Sequence, residues 1–222
     1  MTYLCFMIDS AVTVAFTGHR TYRGEAGDAL RRAVVRLYGR GFRTFLSGMA
    51  VGFDLAAAEA VLELRDGAAG RASLFEAEGA PAVGDGCRER MPDGAEEPFC
   101  GMPGSSVAPS GRGGGPYPDL RLVAVVPFEG QQARFSAGER RRYERVLAAA
   151  DKVVVLAPAY RRGCYAVRND FLAAHAALLV AWYDGSPGGT QYTLKRALRL
   201  EREVWNLHPA VPLEIRPAPK LF

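Results

Sequence analysis

Histidine and cysteine are scarce in this chain, and where they stand excludes more than their number does. The 222 residues hold three histidines and four cysteines. Cys5, Cys87, Cys100 and Cys164 form no CxxC pair and keep no ligand-like spacing to His19, His175 or His208. A zinc site or disulfide framework therefore has no support; no metal is expected, and reduced thiols in a cytoplasmic protein fit best. Long apolar runs are missing too. Residues 1–8 are apolar but carry no basic leader and end at Asp9, a poor signal peptide, and no stretch approaches the length of a bilayer span, so no membrane partner is expected. Neither GxGxxG with a following ribose-binding acid nor GxxxxGK[ST] occurs. That argues against an ordinary dinucleotide dehydrogenase or NTPase and leaves no cofactor implied. A net charge of +4 suits anionic ligands but is too mild to argue for nucleic acid.

What is present is an alternation of buried strands and amphipathic helices. With 49% hydrophobic residues, the chain can bury a full core as one domain spanning 1–222. Residues 12–16 are β-branched and aromatic, the mark of a buried first strand. Leu30, Ala33, Val34, Leu37 and Tyr38 then recur at helical spacing, and Gly39 and Gly41 close that helix. A second strand ends at Ser47 and an alanine-rich helix begins near Leu55. Further strands are expected at 120–126, 153–156 and 178–183, with an edge strand at 205–207 and a proline-rich tail after His208. Helices are expected at 137–150, 166–176 and 191–203. Strands alternating with helices predict an α/β fold, a Rossmann-like doubly wound sandwich on a mostly parallel sheet of five to six strands.

Residues 66–118 break that pattern. These 53 residues hold 12 of the 25 glycines and 7 of the 14 prolines, with eight acidic and four basic residues. Such a stretch cannot bury enough apolar surface to order itself, so a flexible Gly/Pro-rich insertion is expected, with a lid or partner-binding arm as the functional alternative.

Three glycine-bearing corners follow strands: Thr17-Gly18-His19-Arg20, Ser47-Gly48-Met49-Ala50-Val51-Gly52, and Ser186-Pro187-Gly188-Gly189-Thr190. In an open parallel sheet the strands end at one edge, so the three corners are expected to meet in one crevice. Free backbone N–H groups there would favour a phosphate, with Arg20 or Arg168 supplying charge. The competing reading is that the glycines serve tight turns only, and that Asp54 is a helix N-cap.

These motifs, the second extended through Phe53 and Asp54 and the third beginning at Tyr183-Asp184-Gly185, together with Val126-Pro127-Phe128-Glu129-Gly130-Gln131 and the segment from Tyr160 to Arg168 and Asn169, occur in the order found in the YpsA/YspA-like branch of the SLOG superfamily, which the chain resembles over nearly its whole length outside 66–118. The resemblance implies a nucleotide or nucleotide-derived ligand at the strand ends, oligomers, and a sensor rather than an established enzyme. It points to Thr17, Gly18, His19, Arg20, Ser47, Gly48, Met49, Ala50, Gly52, Asp54, Arg168, Asn169, Gly188, Gly189 and Thr190 as ligand-binding residues. Its alternatives are a LOG-like nucleotide N-glycosidic hydrolase, with Asp54, Arg168 and His19 as the catalytic candidates, and DprA-like nucleic-acid binding. The latter is disfavoured, since neither a recognition helix nor aromatic-basic interleaving is legible. Departures bear on the hydrolase reading. Thr21 replaces the usual proline after the first motif, alanines surround His175, and Gln191, not a glutamate, follows Thr190.

Overall fold

A computed structural model of the chain describes residues 8–75, 114–211 and 214–215. Its elements alternate as the apolar periods predict: β1 (Thr13–Gly18), α1 (Gly27–Gly39), β2 (Thr44–Ser47), α2 (Phe53–Phe75), β3 (Arg121–Val126), α3 (Ala137–Ala149), β4 (Lys152–Val155), α4 (Cys164–Ala174), β5 (Leu178–Trp182), α5 (Gly189–Arg199), β6 (Glu203–Asn206) and β7 (Glu214–Ile215). Six strands pair in parallel and β7 adds two antiparallel residues, in the order β4-β3-β2-β1-β5-β6-β7. The strand expected at the edge, β6, is thus covered by β7.

Except at the edge strand β4, where Val153 and Val155 are exposed, the sheet is buried on both faces, which is why its strands read as near-continuous apolar runs. In β1, Val14 and Phe16 point into the larger core with Leu30, Ala33 and Leu37 of α1, Leu55 and Leu62 of α2, and Tyr143 and Val146 of α3. Ala15 points the other way, against Leu172 and Ala173 of α4 and Leu194 and Ala197 of α5. The period of two along each strand and of 3.6 along each helix therefore produces three layers, helices on both sides of one sheet.

The glycine- and proline-rich insertion begins inside α2. That helix runs past Asp66 to Phe75 with a break at Gly67, whose φ of 67° is left-handed. Residues 76–113 lie outside the described residues. Both ends of 66–118 belong to the scaffold. Arg65, buried at the end of the first helical section, donates to Asp66 Oδ1 and Asp151 Oδ2, both at 2.7 Å, and to the Ala149 carbonyl at 3.0 Å. Gly115 N donates to the Arg65 carbonyl at 2.9 Å, and Tyr117 packs edge-on against Tyr38 at 5.1 Å. A Cβ on Gly67 would fall 3.0 Å from Gly115 Cα, so the chain leaves and re-enters at one place. Excising residues 68–113 and joining Gly67 to Gly114 through a short Gly/Ser linker is expected to keep a cooperative melt within a few degrees of the parent, because loop-closure entropy changes slowly with length. A non-cooperative melt would show that the excised stretch supplies core.

Candidate functional site

The chain leaves β1 towards β2, β3 and β4 on one side, then returns to place β5 on the other. Flanking loops and helices diverge at such a switch point and leave a crevice beyond the carboxyl ends of the strands. A cleft of about 280 Å³ opens there. Thr17 and Gly18 at the end of β1 line it with His19 and Arg20 just beyond, as do Ala50 and Asp54 after β2. Tyr165, Arg168 and Asn169 of α4 and Gly189 and Thr190 at the start of α5 complete the wall.

The other expected site residues stand behind or beside it. Ser47 is fully buried, its Oγ donating to the Asp54 carbonyl at 2.8 Å and accepting from Met49 N at 3.2 Å. Met49 is also fully buried and adopts a left-handed φ of 56°, a conformation that costs an L residue about 1 kcal/mol or more. Gln131 holds it there, Nε2 donating to the Met49 carbonyl at 2.8 Å. Gly48 and Gly52 admit protein rather than a lining backbone. A Cβ on Gly48 would lie 2.3 Å from Arg168 Nη1 and 2.7 Å from Asp54 Oδ2. One on Gly52 would lie 2.6 Å from the His19 carbonyl oxygen. Gly188, with φ 152°, precedes α5 without a side-chain cap.

Asp54 is not an N-cap. It is the second residue of α2, and its carboxylate reaches across to β1, where Oδ1 accepts from Gly18 N at 3.1 Å. Oδ2 faces Arg168 Nη1 at 3.4 Å. Arg168 also donates from Nη1 to the Gly48 carbonyl and from Nε to Asn169 Oδ1 at 2.9 Å. Both side chains are almost wholly buried. Burial raises the Asp54 carboxyl to about 6, against the opposing pull of the Arg168 charge and the Gly18 N–H. Burial likewise pushes the Arg168 guanidinium down, offset by Asp54. The corners after β1 and β2 and helix α4 are thus tied by one neutralised pair.

Around this pair the polar groups are more open. His19 Nε2 lies 2.9 Å from Asp184 Oδ1, and the His19 ring stacks on Tyr183 at 5.7 Å. Hydrogen bonds from Ser186 hold Asp184 down at about 2. Arg20 is exposed, lies 5.6 Å from the centre of the Tyr165 ring, and makes no ion pair among the described residues. At α5 no acidic residue occupies the first turn. Asn169 Nδ2 donates to the Gly189 carbonyl at 3.3 Å, fixing the start of that helix against α4. Tyr165, Tyr183, Asp184 and Gln131 are not among the expected site residues, although all four lie within the motif segments that carry the resemblance. Among the described residues no group of three or more His, Cys, Asp or Glu side chains could hold a metal ion. No described helix is long and apolar enough to cross a membrane.

The model of the YspA SLOG family matches residues 114–208. That range includes Tyr165, Arg168, Asn169, Gly189 and Thr190 and leaves the corners after β1 and β2 outside. The uncharacterized SPbeta prophage-derived protein YoqJ of Bacillus subtilis is 27% identical over 117 residues, 45% of this chain and 66% of that protein. A UPF0398 protein of Shouchella clausii is 36% identical over 76 residues, 33% of this chain and 40% of its own length. The chain therefore spans less than two thirds of either relative. Among solved structures, DNA processing protein A of Helicobacter pylori, described for its single-stranded DNA binding mode, superposes with a TM-score of 0.51 at 12% identity, covering 90% of this chain and 66% of that one. DNA processing protein A of Streptococcus pneumoniae gives 0.52 at 15% identity, covering 87% and 49%. At these identities the likeness is one of fold.

Proposed function

The chain belongs to the SLOG superfamily on its YpsA-like side, and from that premise we propose that the cleft at the β1–β5 switch point binds a nucleotide or nucleotide-derived metabolite. The observation that carries this reading is the convergence on one cleft of Arg20, which makes no ion pair among the described residues, and the N-terminus of α5, which has no side-chain cap. Such a helix end presents N–H groups and a partial positive charge to an anion, and an arginine adds a charge-assisted partner. Arg168 Nη2 has no acceptor among the described residues and adds a third donor on the same wall. Asp54 and Arg168 neutralise one another, so the buried carboxylate does not cancel that positive field.

The second reading, hydrolysis of the N-glycosidic bond, is favoured only by Asp54, a carboxyl that lines the cleft and is raised to about 6. It is already engaged by Gly18 N and Arg168, and α5 offers no carboxylate of its own. A missing preorganised counter-charge is worth roughly 3–4 kcal/mol of barrier. A thermal-shift screen of nucleoside monophosphates, dinucleotides and ADP-ribose, with single-stranded oligonucleotides alongside, is expected to find stabilising ligands among the small nucleotides, since a ligand of the native state raises the melting temperature. Chromatography of the same mixtures is expected to show little free base. Turnover in the parent that vanishes in Asp54→Asn would establish the hydrolase instead. Stabilisation by single-stranded oligonucleotides alone would favour nucleic acid.

A further inference from the structure

Tyr160 is the most exposed large side chain of apolar character among the described residues, with 60% of its surface open. A lone exposed tyrosine needs no explanation. This one belongs to a cluster. Its ring meets Phe128 edge-on at 5.3 Å and leans against Tyr165 at 6.4 Å, and Phe128 meets Tyr165 edge-on at 5.8 Å. Phe128 is buried with Ala157 and Cys164, and Glu129 N donates to the Ala157 carbonyl at 3.1 Å. The loops after β3 and β4 are therefore fastened together beneath the rings, which gives Tyr160 a firm base.

Tyr165 is shared between this cluster and the cleft wall, and Arg20 lies over its ring. An aromatic shelf thus continues outward from the place where an anion would meet Arg20. On the opposite rim the corresponding ring is engaged. There Tyr183 is already stacked by His19, and its hydroxyl accepts from Gln191 Nε2 at 3.1 Å. A ligand with phosphate at the α5 end and a flat ring directed along α4 would cover the exposed ring of Tyr160. Stacking of this kind tolerates any base, because every base has a π-face.

We propose that Tyr160, backed by Phe128 and Tyr165, is the subsite for the heteroaromatic base of the bound nucleotide, an inference that rests on the nucleotide reading of the cleft. The test is calorimetric titration of AMP, GMP, CMP, UMP and ADP-ribose, with ribose 5-phosphate as the baseless counterpart, into the parent, Tyr160→Ala and Tyr160→Phe. In Tyr160→Ala, affinity for the base-bearing ligands is expected to fall about tenfold or more, as for loss of one base–aromatic stack, with ribose 5-phosphate binding unchanged. Tyr160→Phe is expected to retain the parent's affinities. Because the side chain is largely exposed, both variants should melt like the parent. Equal nucleotide affinity in the parent and Tyr160→Ala would overturn the base subsite while leaving the nucleotide cleft standing. A parent that binds none of these compounds would bring down both.

Discussion

Arg168→Leu is expected to lose about 3–5 kcal/mol of stability at pH 8, and with it all measurable nucleotide affinity. The arginine is 7% exposed, and its removal leaves the Asp54 carboxyl, 3% exposed, without its cation. The Gly48 carbonyl and Asn169 Oδ1 lose their donors as well. The loss should depend on pH, and the sign follows from Asp54. In the parent its folded value, about 6, lies above the ordinary 3.8, because burial outweighs the Arg168 charge. A raised carboxyl contributes stability that is present below the unfolded value and is lost as pH rises through the folded one. Without Arg168 the carboxyl rises further. At pH 5 it takes a proton, and the uncompensated charge disappears. Urea melts at pH 5 and pH 8 should therefore give a markedly smaller loss at the lower pH. Arg168→Leu/Asp54→Asn should recover much of the stability at pH 8 without recovering binding. An identical loss at both pH values would show that the two side chains do not act as a pair.

Gly52→Ala should be nearly as damaging, for a reason confined to the backbone. Gly52 has a left-handed φ of 87°, and an added Cβ would lie 2.6 Å from the His19 carbonyl oxygen and 2.8 Å from Arg20 C and Cα. The conformation alone costs about 1 kcal/mol or more, and overpacking adds about 1–3 kcal/mol. Main-chain atoms cannot swing aside as a side-chain tip can, so the relief open to the protein is to move the His19–Arg20 loop. Phe53 N would lose its 3.3 Å hydrogen bond to the His19 carbonyl, and Arg20 would leave the cleft wall. Nucleotide affinity and stability should fall together. Gly189→Ala is the control, since a Cβ there meets Asn169 Nδ2 at an ordinary 3.6 Å. Its unfolding free energy is expected to stay within about 0.5 kcal/mol of the parent. Urea melts in which Gly52→Ala matches Gly189→Ala would contradict the tight approach of the two corners.

The sequence made the parallel sheet legible because a strand covered on both faces must be apolar at every position, as Val14, Ala15 and Phe16 are. Strand order was not legible. Nothing in the residues after Ala177 says that β5 pairs with β1 rather than with β4; that choice lies in the packing of α4 and α5 on the opposite face. β7 escaped because two residues carry no period. At the site, residue identity was easier to read than role. Gly48 and Gly52 stood out as glycines, but whether a glycine admits a phosphate or a neighbouring chain depends on what lies opposite. For Gly48 that is Arg168, 120 residues away. Asp54 had the local look of a cap, and only the fold brings Gly18 N within reach of its carboxylate. Tyr165 and Asp184 lie inside recognisable motif segments, but their roles were not legible, since these rest on proximity to Arg20 and His19.

The measurement that bears most directly on the nucleotide cleft is calorimetric titration of the strongest stabiliser from the thermal-shift screen into the parent, Arg20→Ala and Gly189→Val. Arg20 is exposed, and a Cβ at Gly189 meets the Asn169 side chain at an ordinary contact distance of 3.6 Å, so both variants should melt close to the parent. Arg20→Ala removes a charge from the wall, and Gly189→Val puts a branched side chain where a phosphate would approach α5. Binding to the parent with a fall of about tenfold or more in each variant is the expected result. Binding of equal strength in all three proteins, or none in the parent at millimolar nucleotide, would contradict it.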